Sequence, residues 1–81
     1  MFEEEEQQEA MLEKVEDLIG RKRYADLRDL LVPLEAQDIA HLCEELDEKS
    51  LPLVFRLLPK EQAAEVFVEL DSDQQELLIQ G

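Results

Sequence analysis

Glycine, proline, cysteine and the aromatics are scarce in this chain of 81 residues: two glycines, three prolines, one cysteine, one tyrosine, three phenylalanines and no tryptophan. Gly20 and Gly81 stand far apart, so no glycine-rich loop is available to cradle a phosphate. One cysteine excludes an intrachain disulfide and fits a reducing compartment. The one histidine, His41, lies two residues before Cys43. On a helix that spacing turns the two side chains to different faces, so they cannot clamp one metal ion. They also lack the third group and the oxyanion loop that a Cys/His nucleophile needs. Asp71-Ser72-Asp73 begins like a calcium loop, but the glycine and the closing glutamate are missing, and it reads as a turn and N-cap. Nothing here points to an enzyme.

Cations are scarce too. Eight Lys and Arg stand against 22 Asp and Glu, a formal net charge of −14. Such a surface repels nucleic-acid phosphates and anionic membrane surfaces alike. It attracts cations or a basic protein face, and the same excess also serves solubility. No apolar run approaches the roughly 20 residues of a membrane span, so direct membrane insertion is not expected. The start, Met-Phe-Glu-Glu-Glu-Glu, is acidic where a signal peptide is basic. These features lead to the expectation of a soluble, cytoplasmic chain.

Leu, Glu, Ala, Gln and Lys are abundant, and all favour helices. Met11, Leu12, Val15, Leu18 and Ile19 recur at spacings of three and four, one stripe of an acidic amphipathic helix within residues 1–20. Gly20 is expected to be the left-handed residue that ends this helix. Arg21-Lys22-Arg23 then places cations near its negative end, and Glu3–Glu6 complements the positive one. A second helix is expected over Tyr24–Leu31, with Leu27, Leu30 and Leu31 inward. Pro33 restricts Val32 and closes it.

From Leu34 the chain repeats with a period of 12. Leu34, Leu46, Leu58 and Leu70 are followed eight positions on by Leu42, Val54, Val66 and Leu78, and nine on by Cys43, Phe55, Phe67 and Ile79. Twelve residues at about 100° each rotate an apolar stripe by about 120°, so one continuous helix would wind its apolar face around its axis. Breaks at Asp47 and Ser50, Pro59, and Asp71 and Ser72 avoid this. Short helices follow at about 35–45, 50–58 (capped by Ser50, with Pro52 in its first turn), 60–70 and 72–80. Helices this short need neighbours to stack on. The fold class is all-α, an α-solenoid-like superhelix of about six short stacked helices, with residues 21–81 as the repeat region. The period does not determine its hand.

The repeat columns sort the candidate residues. Cys43 shares its column with Phe55, Phe67 and Ile79 and reads as a small core residue. Glu65, within Ala63-Ala64-Glu65-Val66-Phe67, shares a column with His41, Leu53 and Leu77, which reads as the rim of the packed face. A carboxylate there needs water or a partner. Val68 is apolar in a column of Glu44, Arg56 and Gln80, so it is either extra core or an exposed contact for a partner.

The ordered series "LRDLLVPLEAQDIAHLCEEL" and "LPLVFRLLPKEQAAEVFVELDSDQQELL" resembles the cytosolic N-terminal domain of MgtE-type magnesium transporters, over roughly Tyr24–Gln80. The Leu-Leu-Pro-Lys run followed by Ala-Ala-Glu-Val is its most specific part. The resemblance implies a right-handed superhelix. It implies a regulatory domain on the cytoplasmic side of the membrane, ahead of a CBS pair and a transmembrane pore, in a homodimer. By the same resemblance, Mg2+ bridges acidic faces of this domain and the CBS domains and holds the pore closed, and the glutamate that takes part is Glu65. Further acidic ligands lie past Gly81 in the family. A competing reading is a protein-interaction scaffold with short-helix repeats, as in the middle domain of the flagellar motor-switch protein FliG. There Val68 would meet a partner and no metal would matter. A generic helical-repeat adaptor is the third.

Overall fold

The computed structural model describes the backbone of residues 2–80 and the side chains of residues 9–80. The described chain forms six helices: α1 (Phe2–Gly20), α2 (Tyr24–Leu31), α3 (Ala36–Glu45), α4 (Ser50–Leu57), α5 (Lys60–Glu69) and α6 (Ser72–Gln80). The fold is all-α, a stack of short helices. The side chains of Glu3–Glu6, expected to complement the start of α1, lie outside the described residues.

The breaks fall where the 12-residue period requires them, and each helix packs on the one two places before it. One row runs α1, α3, α5 and the other α2, α4, α6, while α1 also lies against α2. Between the rows sits one apolar cluster. Val15, Leu27, Leu31, Ile39, Cys43, Val54 and Val66 are its fully buried members. Burying a Val or Leu this completely contributes about 1.5–3 kcal/mol each before entropy is counted. The column holding Leu42, Val54 and Val66 is buried, whereas Leu78 in α6 is only half-buried, with no further helix over it among the described residues.

Three helix ends differ from expectation. Gly20 is not the left-handed terminator of α1 but its last helical residue; Lys22 takes that role, with φ 60°. Arg23 N–H donates to Leu18 O (2.9 Å) and Lys22 N–H to Ile19 O (3.0 Å), the paired bonds of a Schellman ending. Val32 keeps helical backbone (φ −55°, ψ −40°) although Pro33 follows it, so α2 ends without the extended residue that proline favours. Ser50 does not cap α4. The Asp47 carboxylate does, accepting from the Ser50 (2.7 Å) and Lys49 (3.1 Å) amides, and Asp71 likewise accepts from the Gln74 amide (2.9 Å) at α6.

The carbonyl ends of the helices are closed by a device that periodicity alone did not suggest. Gln62 on α5 donates through Nε2 to Val32 O (3.0 Å) and Leu34 O (3.1 Å), at the end of α2. Gln74 on α6 donates to Cys43 O (2.9 Å), at the end of α3. Gln75 donates to Phe67 O (2.8 Å), at the end of α5. Neither α3 nor α5 has a basic residue in its last turn. With cations so few, neutral amides satisfy carbonyls that Lys or Arg would otherwise meet.

Candidate functional site

Both sequence-derived site residues lie on α5, so its placement comes first. Pro59 precedes it with φ −57°, and Pro59 O accepts the Ala63 amide (2.8 Å) to close the first turn. At the other end, Leu70 N–H is shared between Val66 O and Phe67 O (3.2 Å each). Inward, Val66 is fully buried and Phe67 meets Phe55 edge-on, with ring centroids 6.3 Å apart. Gln62 ties the first turn of α5 to the α2–α3 turn, and α3 packs along the inner side. The helix is therefore held at its start, middle and end.

The opposite side of α5 is open. Glu61, Ala64, Glu65 and Val68 are all exposed, and their spacing of three, one and three sets them on one helical stripe. Sequence reasoning treated Glu65 and Val68 as separate features; the helix makes them neighbours on one face. Val68 is 76% exposed, which removes the extra-core reading. In the Glu65 column, Leu53 and Leu77 are half-buried while His41 and Glu65 are exposed, so the position is a margin that takes either character. Glu61, one turn before Glu65, was not singled out in the sequence, though its i,i+4 spacing could have marked it.

Among the described residues the ion pairs are Arg21–Asp17 and Arg23–Asp26, and His41 faces Glu44, so no side-chain cation is paired with Glu61 or Glu65. Two carboxylates one turn apart repel, and their field attracts a cation. No group of three or more His, Cys, Asp or Glu suited to a metal ion occurs among the described residues. This face can thus offer a hard cation one or two carboxylate oxygens, with water and a second surface supplying the rest. Magnesium is commonly held in that manner.

The other candidates are accounted for by packing. Cys43 is buried; desolvation, helped by the Glu44 carboxylate, pushes its thiol up to about 12, which leaves it a neutral core group. His41 is exposed and sits 3.7 Å from Glu44. A cleft between α1 and α2 sets Lys14, Arg21 and Arg23 against Asp17, Asp26 and Asp29. Its charges balance, so it concentrates neither anions nor cations.

A model of the MgtE intracellular N domain family matches residues 34–81, more than half of the chain. The chain belongs to that family. No curated protein matches it. The match begins on Leu34, the first leucine of the 12-residue repeat, so the matched region takes in all four units. The MgtE N domain is an intracellular part of magnesium transporters, which are not an enzyme family and which have a transmembrane portion. No helix among the described residues is long and apolar enough to cross a membrane. Helices α1 and α2 precede the matched region and pack against α3 and α4 in the same stack.

Proposed function

We propose that this MgtE N domain is a magnesium-sensing regulatory module, in which Glu65 on the outer face of α5 supplies one side of a bridge to an acidic face of the CBS domains. The observation that carries the reading is the α5 stripe of Glu61, Ala64, Glu65 and Val68, exposed and free of paired cations on a family member of charge −14. Two carboxylates about 6 Å apart repel by roughly 1 kcal/mol in water and about 3 kcal/mol at a protein surface. A divalent ion between two such faces reverses the sign of that interaction. When magnesium is abundant the faces are held together and the pore is closed; when it falls, they part and the channel opens.

The ordering of α5 suits the role, because a bridge between domains transmits force only if its ligand sits on a rigid element. Ala64 keeps the stripe low beside Glu65, and Val68 adds an apolar contact for the facing domain. The exposure of Val68 equally suits a pure interaction scaffold, in which magnesium changes nothing. An NMR titration of the 81-residue chain separates the two. The sensing role predicts millimolar-or-weaker, poorly selective Mg2+ binding, with shifts centred on Glu61 and Glu65 and lost in Glu65→Gln. A titration that leaves α5 unmoved supports the scaffold, and tight stoichiometric binding by this domain alone contradicts the shared site.

A further inference from the structure

The charges of this chain are spread unevenly. Lys49–Lys60 is its longest stretch without an acidic residue, and it holds three of the eight cations, Lys49, Arg56 and Lys60. All three are exposed, and among the described residues none is in an ion pair, whereas Arg21 and Arg23 each meet an aspartate. Lys49 keeps helical backbone ahead of α4 (φ −80°, ψ −36°), so Lys49, Pro52, Leu53 and Arg56 follow at i, i+3, i+4 and i+7 along one stripe. Leu51 and Val54 fill the core on the other side of the helix. Leu53 is half-buried yet is not one of the side chains packed on the apolar cluster. An apolar side chain thus stands between two unpaired cations on the outside of an acidic protein.

We propose that this face of α4 docks an acidic, leucine-bearing segment of another protein, whose carboxylates meet Lys49, Arg56 and Lys60 and whose apolar side chain meets Leu53. Charge complementarity selects the acidic partner. The neighbouring helices decide against an anionic bilayer. Helices α2 and α6 pack on either side of α4, and residues 24 apart in the repeat are aligned between them. Asp29 on α2 is aligned in this way with Leu53, and Asp73 and Glu76 on α6 with Lys49 and Pro52. A flat headgroup surface would meet those three carboxylates together with the stripe. A single helix, about 10 Å wide, meets the stripe alone. The proposal is independent of the magnesium reading, which concerns α5 and a cation.

NMR of the 81-residue chain in EDTA and low salt tests it, with a short helix-forming peptide of Glu and Leu, its leucines three and four apart, as the probe. Amide shifts should centre on Lys49–Lys60, shrink with added salt, and be absent with the same peptide carrying Gln for Glu. Lys49→Gln with Arg56→Gln should weaken binding about three- to tenfold, as two exposed charge pairs are lost. Lys14→Gln with Lys22→Gln, at two other exposed cations, changes the net charge equally and should leave the affinity unchanged. Vesicles of phosphatidylglycerol should leave α4 unmoved. Failure of the Glu peptide to shift α4, a response kept by the Gln peptide, equal weakening by both double variants, or stronger α4 shifts with the vesicles would each overturn the proposal.

Discussion

Replacing Gln62 by methionine keeps the length and helix propensity of the side chain and removes its donors. The structure assigns those donors two bonds, to Val32 O at 3.0 Å and Leu34 O at 3.1 Å. A net 0.5–1.5 kcal/mol per bond gives a loss of about 1–3 kcal/mol. The bond to Val32 O is exposed, so water can replace it, and the expectation settles at about 1.5–2 kcal/mol. Gln74→Met should cost less, about 0–1 kcal/mol. It loses one bond to Cys43 O but also removes a buried amide oxygen, Oε1, that has no partner. Gln62→Glu should be worse than methionine at neutral pH, because a carboxylate then faces two carbonyl oxygens. It should recover as the pH falls below about 4 and the group becomes a donor again. Urea unfolding followed by far-UV circular dichroism measures all three, and the lack of tryptophan makes helix content the natural signal. A chain of this size holds only about 4–12 kcal/mol of stability, so the effects are well within reach. A Gln62→Met chain within about 0.3 kcal/mol of the parent, or one less damaged than Gln74→Met, would refute the role given to the glutamines.

Other perturbations follow from the same structure. Gly20→Ala should stabilise by about 0.5–1 kcal/mol and raise Tm by several degrees, since Gly20 is helical and an added Cβ meets nothing within 4 Å; a loss on thermal melting would restore the left-handed Gly20. Asp47, whose pKa the Ser50 amide and hydroxyl hold below the ordinary carboxylate value, contributes stability that is complete above the unfolded pKa and lost as the pH falls through the folded one. The acid limb of stability should therefore flatten in Asp47→Asn, as read by melting between about pH 5 and 2. Cys43, its thiol pushed up to about 12, should react with a disulfide reagent at pH 8 only as fast as the chain unfolds, and at once in urea; prompt reaction of the folded chain would contradict its burial.

Much of this fold is legible in the sequence because one signal, the 12-residue period, carries both the breaks and the core. The expected limits of α2 and α6 coincide with the observed helices, and those of α3, α4 and α5 differ by one residue. What the period could not convey was how the helix ends are satisfied. Gly20 looked like a terminator because glycine favours that conformation, yet it is itself helical and the left-handed position falls two residues later, at Lys22. Ser50 and Asp47 were both plausible caps, and only the turn geometry selects the aspartate. The glutamine contacts join residues about thirty positions apart, beyond any local pattern. Their signal was present all the same, since Gln62 and Gln74 stand 12 apart in one repeat column. At the candidate site, the column of Glu65 marked a margin, while that of Val68 left extra core and an exposed contact both open until the fold showed it exposed. That the two share a stripe follows from their spacing of three once α5 is known to be one uninterrupted helix.

The central claim is that Glu65 supplies one side of a magnesium bridge between this domain and the CBS pair. It is tested most directly by small-angle scattering of the domain joined to that pair, titrated with Mg2+, with and without Glu65→Gln. The account predicts a magnesium-dependent fall in radius of gyration for the parent and a curve displaced to higher magnesium, or abolished, for the variant. Two superimposable curves would contradict it.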